Sequence, residues 1–162
     1  MPTLKTVESK LVAELMKNSR RSDRELARSI GVSQPTVTRI RARLEKERAI
    51  REYTIIPDFQ KLGFRILAIT LLAMDKEPDS KEFEKALSTF PNILLVERGL
   101  GLESSHMFVS LHEDYSSYAE FERKLEKNEF LEVKDSTSFL VNLDEDSGFL
   151  SFSNLAKELV KR

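Results

Sequence analysis

Residues 26–44 read LARSIGVSQPTVTRIRARL, and their spacing decides the fold of the N-terminal part of the chain. Leu26, Ala27 and Ile30 are apolar at helical spacing, and Gly31 stands where a helix wants a left-handed C-terminal residue. Ser33 then caps a further helix, which tolerates Pro35 in its first turn and runs to about Arg48. Just upstream, Ser22 and Glu25 in SDRE form a capping box that starts the shorter helix. Further back, Val7, Leu11, Val12, Leu15 and Met16 give residues 6–18 a helical period that Asn18 and Ser19 end. A short capped helix, a glycine turn and a longer basic helix have the sequence form of a helix-turn-helix.

The long helix carries Arg39, Arg41 and Arg43 in alternation. Val37, Ile40 and Leu44 define its apolar stripe. With Val37 at zero, Lys46 falls at about 180°, Arg39 at about 200° and Arg43 at about 240°, all opposite the core. Thr38 lies to the side at about 100°, and Arg41 flanks the stripe at about 40°, where Glu45 is a natural intrahelical partner. An outward face of Thr38, Arg39, Arg43 and Lys46 suits the major groove, because arginine can grip guanine or a phosphate and threonine can contact either. The helix N-terminus, with Ser33, Gln34 and Thr36, offers free N–H groups and small polar side chains. Arg20, Arg21, Arg24 and Arg28 lie where a DNA backbone would cross. A solvated basic face is the competing reading of such a helix; the capped helix and glycine turn in front of it favour nucleic acid.

Beyond the helices, REYTII (51–56) is rich in β-formers and is expected to form a strand, closed by Pro57 and followed by a connector to Phe64. From residue 65 the period changes. Strands are expected at 66–74, 93–97, 106–112 and 133–143, helices at 80–90 and 115–128, and a loop at GLGLES (99–104). Along 106–112, Met107, Val109 and Leu111 alternate with His106, Phe108, Ser110 and His112. The order βαββαβ is ferredoxin-like: an antiparallel sheet with helices on one face. The other face needs a cover, from a partner subunit and in part from an amphipathic tail helix carrying Leu155, Leu159 and Val160. Phe149, Phe152 and Leu155 read as packing residues. The fold class is α+β, with a helix-turn-helix at 1–50, strand and linker at 51–64, a ferredoxin-like domain at 65–143 and a tail at 144–162.

Composition narrows the function. The chain has no cysteine and two histidines, so disulfides, thiolate metal sites and a cysteine nucleophile are excluded and a histidine metal site is disfavoured. His106 and His112 lie about 20 Å apart at strand rise, too far to share a metal, and read as partly covered sheet residues. No apolar run approaches the roughly 18 residues of a membrane span, and the N-terminus lacks a signal-like apolar core, so a cytoplasmic protein is expected. The net charge of −1 divides unevenly: residues 1–60 hold 13 Lys+Arg against 8 Asp+Glu, and residues 61–162 hold 13 against 19. A basic module facing a polyanion, joined to an acidic one, fits that division.

Residues 20–64 closely resemble the N-terminal part of Lrp/AsnC regulators. The shared elements are Leu26-Ala27, Gly31-Val32-Ser33, Thr36-Val37-Thr38-Arg39, Arg43-Leu44-Glu45, Ile50, Tyr53 and Leu62-Gly63. The resemblance implies a βαββαβ effector domain that dimerises through its sheet. It also implies double-stranded DNA bound by dimers or higher oligomers, with two recognition helices about 34 Å apart on a pseudo-palindromic site. It implies small-molecule control, with Gly99, Gly101 and Glu103 as the candidate effector site, and no cofactor. Two departures stand out. The family often has Arg-Arg-Ile where this chain has Arg39-Ile40-Arg41, and acidic residues after a glycine where this chain has Leu102-Glu103-Ser104-Ser105. Two other functions compete: a sirohaem-decarboxylase-like enzyme of the same architecture, with Arg98, His106 and His112 as its material, and an effector-less architectural DNA-binding protein.

Overall fold

The structure is a computed structural model and describes residues 6–76, 78–145 and 151–161. The chain forms two compact units. The first runs up to Ile56 and includes the C-terminal helix; the second begins at Pro57. Among the described residues, no helix is long and apolar enough to cross a membrane.

The first unit is built on α1 (Thr6–Lys17), α2 (Asp23–Ile30) and α3 (Gln34–Lys46). Both arms of the capping box at α2 are present: the Ser22 amide donates 2.7 Å to Glu25 Oε2, and the Glu25 amide donates 3.3 Å to Ser22 Oγ. Gly31 ends α2 at φ +76°, its N–H bonded to the Ala27 carbonyl at 3.0 Å. A side chain there would meet no neighbour, so the backbone conformation alone demands glycine. Ser33 caps α3 through the Thr36 amide. Leu11, Leu15, Leu26, Ala27, Val37, Ile40 and Leu44 close over one another as the core.

Two expectations fail in this unit. Residues 51–56 form no strand, and Ile55 and Ile56 stay exposed. Their β-forming residues have no neighbouring strand edge to pair with, and propensity without a ladder does not make a strand. The tail helix α6 (Ser153–Lys161), expected to cover part of the sheet, lies on α1. Ala156 of α6 is fully buried, while Phe152 and Leu155, expected to pack, are about half exposed. Phe149 lies outside the described residues. Ala13 stands about 200° around α1 from Leu11, on the face turned away from the three-helix core. It is also fully buried, so small residues let the two helices approach. An Ala156→Arg substitution is therefore expected to undock α6 and lower the stability of this unit by about 1–3 kcal/mol. Thermal melting followed by circular dichroism should show the first unit shifted and the second unmoved.

The second unit is the ferredoxin-like arrangement: β1 (Ile66–Met74), α4 (Ser80–Leu87), β2 (Ile93–Gly101), β3 (Ser104–His112), α5 (Tyr115–Glu126) and β4 (Val133–Asn142). The sheet order is β2-β3-β1-β4, antiparallel throughout. Alternation sends Ala68, Leu72 and Phe108 under the helices, where Tyr118, Phe121 and Leu125 of α5 meet them. The opposite face carries Leu67, Ile69 and Leu71 of β1, with Val109 of β3 and Phe139 of β4 flanking Ile69 in register. Leu95 of β2 stands opposite Val109. Phe139 is 67% and Leu95 42% exposed, so this apolar face is uncovered in the single chain.

The expected loop at 99–104 is mostly strand. β2 continues to Gly101, and the chain reverses over Leu102 and Glu103, at φ +52° and +57°. Two left-handed central residues are what a tight hairpin turn requires.

Both histidines are buried on the helix side of β3, more deeply than the sequence implied. His106 packs against Phe83, and His112 against Tyr118 and Phe121. The Asn92 amide donates to His112 Nδ1 at 3.1 Å and also to the Leu111 carbonyl, which leaves His112 Nε2–H to donate 2.8 Å to Ser110 Oγ. Burial holds this imidazole below its ordinary pKa, with a backbone hydrogen bond at Ser117 acting the other way. The unfolded chain takes up the proton near the ordinary value of about 6.5, the folded one only below it. Stability of the second unit should be level above that pH and should fall as pH drops from there through the folded value. Melting between neutral pH and about pH 5 should show the decline, and His112→Phe should flatten it.

Candidate nucleic-acid interface

The outward cations of the first unit fall into two groups. Arg20, Arg24, Arg28, Arg39 and Lys46 are exposed and make no ion pair among the described residues. Arg21, Arg41 and Arg43 are engaged. Arg21 pairs with Glu14 of α1 and donates 3.2 Å to the Glu25 carbonyl, tying α1 to the start of α2. The Lys17 hydrogen bond, and after the opposing effect of burial the Arg21 hydrogen bond, hold the Glu14 carboxyl below its usual range. Arg43 pairs with Glu8 of α1, a residue that is 8% exposed, and lies 3.9 Å from Glu47. Arg39 and Arg43, equivalent by their helical angle, are thus unlike: one faces solvent and the other turns back onto α1.

Arg41 sits at the edge where its angle placed it. Nη1 reaches Asp23 at 3.1 Å, and Nε lies 2.8 Å from the Tyr53 hydroxyl and 3.3 Å from Glu45. Burial opposes its charge, but bonds to Tyr53, Asp23 and Glu45 outweigh that and hold the guanidinium above its ordinary pKa. Burial and the Glu45 hydrogen bond likewise raise the Tyr53 hydroxyl, against the pull of Arg41. At the N-terminus of α3, Ser33 and Thr36 share a 2.8 Å hydroxyl bond and Gln34 is exposed. Thr38 is exposed and bonded to Asp23. Asp23, Tyr53 and Glu8 are structural partners distant along the chain, whereas the Arg41–Glu45 pair follows from helical spacing.

The candidate effector residues are partly brought together. An open cavity of about 260 Å³ beneath the β2–β3 hairpin is lined by Gly99, Gly101, Glu97, Arg98 and His106 among others. Glu103, at the tip of the turn, does not line it. The carboxylate present in the cavity is Glu97, one strand position before Arg98. His112 opens on a different cavity, with Asn92 and Ser117. Arg98 and His106 therefore share a cavity that His112 does not reach, and no group of acidic residues or histidines among the described residues is arranged to hold a metal.

Residues 8–45 match the AsnC-type helix-turn-helix domain. An uncharacterised helix-turn-helix-type transcriptional regulator of Pyrococcus horikoshii is 31% identical over 137 residues, which span 82% of this chain and 92% of the relative. The chain belongs to the Lrp/AsnC family. The transcriptional regulator LrpC of Bacillus subtilis is 38% identical over 90 residues, 56% of this chain and 62% of LrpC. The LrpC structure superposes with a TM-score of 0.73 at 27% identity, covering 91% of this chain and 100% of LrpC. The crystal structure of the Pyrococcus horikoshii protein gives 0.75 at 27% identity, covering 92% and 98%. These relatives are named transcriptional regulators, and the Lrp/AsnC fold of two units is common to them and to this chain.

Proposed function

We propose that this Lrp/AsnC regulator binds pseudo-palindromic double-stranded DNA as a homodimer, placing α3 of each protomer in the major groove. The observation that carries this reading is the division of cations around α3. Those needed to hold the three helices together are engaged, while Arg39 and Lys46 on α3 and Arg20, Arg24 and Arg28 beside it are left to solvent. Arg39, with Ser33, Gln34, Thr36 and Thr38, reads base edges; the other exposed cations hold phosphates. Arg21 and Arg43 reinforce the unit and contribute to binding mainly through its shape. The uncovered apolar face of the sheet supports dimerisation, since a patch of that kind on a folded chain marks an interaction surface. The cavity under the β2–β3 hairpin supports a small-molecule effector held by Glu97 and Arg98 and admitted by Gly99 and Gly101. Burial of both histidines in separate places speaks for a binding protein rather than a decarboxylase.

Sheared genomic DNA bound across a salt series tests the reading. A few fragments sharing an inverted repeat, retained at high salt, are expected. Retention that is salt-steep with no enriched sequence would replace it with an architectural role. No retention at low salt would overturn DNA binding.

A further inference from the structure

Thr38 lies on the proposed reading face, yet its hydroxyl proton is already committed. The hydroxyl donates 2.6 Å to Asp23 Oδ2 at the start of α2, and a longer 3.2 Å contact runs to the Gln34 carbonyl one turn back. A hydroxyl carries one proton, and the charge-assisted bond to a carboxylate is the shorter and stronger. What Thr38 turns outward is therefore oxygen lone pairs and a methyl group.

Asp23 is itself held in place. Arg41 donates to its other oxygen at 3.1 Å, and the Arg41 Nε donates 2.8 Å to the Tyr53 hydroxyl, which in turn donates 2.7 Å to Glu45. The Arg41 guanidinium also lies 4.6 Å from the centre of the Tyr53 ring. The guanidinium only donates and the two carboxylates only accept, so the series runs in one direction and offers no proton back to Thr38. The side chains of Arg41 and Asp23 are only 25% and 20% exposed, so the pair is largely withdrawn from solvent behind the reading face. The departure at Arg39-Ile40-Arg41 makes this arrangement available: isoleucine fills the core stripe at 40, and arginine at 41 reaches α2 and the linker together.

We propose that Asp23, Arg41 and Tyr53 are positioning residues that fix Thr38 as a hydrogen-bond acceptor. Thr38 then selects a base presenting an amino group in the major groove, adenine or cytosine, over one presenting a carbonyl oxygen, guanine or thymine. The inference rests on the proposed DNA-binding function. A carbonyl facing the Thr38 lone pairs finds no donor, and to regain one the threonine must break its bond to Asp23.

Selection from a random duplex library with the full-length protein, followed by titration of the selected sites, provides the test. The wild type is expected to restrict one position per half-site to adenine or cytosine, by about tenfold. Thr38→Val should lose that restriction while keeping the rest of the motif. Thr38→Ser, which keeps the hydroxyl and its bond to Asp23, should retain it. Asp23→Ala frees the threonine proton and should relax the same position, with no further loss in the Asp23→Ala, Thr38→Val double variant. The salt dependence of binding should be unchanged in the two Thr38 variants, since they alter no charge and remove no phosphate contact. A merely structural role for Asp23 would weaken binding at every position equally and overturn the proposal. So would a Thr38→Val protein that keeps the wild-type motif. A wild type that enriches one motif with no such position overturns this inference alone; one that enriches no motif overturns the regulator reading as well.

Discussion

Replacing Phe139 and Leu95 together by aspartate is expected to leave each chain folded and to abolish the proposed dimer. Both side chains stand on the uncovered face of the sheet, 67% and 42% exposed in the single chain, so their loss removes little from the core. In a dimer closed by two-fold symmetry the same substitutions put four carboxylates into one apolar interface. Burying a charge without a partner costs several kcal/mol even after relaxation, and like charges facing across the two-fold axis add to it. Light scattering should report a dimer for the wild type and a monomer for the variant. DNA affinity should fall by about a hundredfold or more, because a monomer engages one half-site without the effective concentration that a tethered second copy supplies. A variant that remains dimeric would move the interface away from this face. A monomer that holds DNA as tightly as the wild type would separate dimerisation from recognition.

The elements read correctly from the sequence are those fixed by neighbours close along the chain. Ser22 with Glu25, Gly31, and Ser33 with Pro35 are local signals, and each cap stands where it was expected. β1 covers residues 66–74 as read, because this inner strand carries apolar residues on both of its faces, Thr70 apart. Structure departs from the local sequence signal where a distant partner decides the outcome. Residues 51–56 have strand propensity and no strand to pair with. The Leu102-Glu103 turn adopts left-handed geometry without the asparagine or glycine that usually announces it, so a hairpin read as a loop. The period of α6 announces an apolar side without saying what covers it, and the cover is α1, from the other end of the chain. The same limit divides the candidate site. Arg41 and Glu45 are four residues apart and were paired from spacing, whereas Arg43 and Glu8 are 35 apart and were not. A helical wheel separates the buried side of α3 from the exposed side, but not the exposed arginines that the fold has already engaged.

Arg39 and Arg43 should consequently respond differently to the same substitution. Arg39 is exposed on α3 with no ion pair among the described residues, so Arg39→Ala removes little from the folded protein. If each Arg39 grips a base edge or phosphate, its loss removes about 1–3 kcal/mol per half-site, and about twice that from a two-fold site. That corresponds to an affinity loss of roughly 30-fold to twenty-thousandfold, with the melting temperature unchanged. Arg43→Ala instead takes the cation away from Glu8, whose carboxylate lies at the α1–α3 contact and is almost covered. A covered carboxylate that loses its charged hydrogen bond is destabilising by about 1–3 kcal/mol, so this variant should melt earlier. Its DNA affinity should fall less than that of Arg39→Ala. Melting curves and operator titrations on the two single variants decide the matter. Equal affinity losses at unchanged melting temperature would mean that Arg43 leaves Glu8 for DNA on binding. A full-affinity Arg39→Ala protein would mean that recognition runs through the N-terminus of α3 and the backbone cations alone.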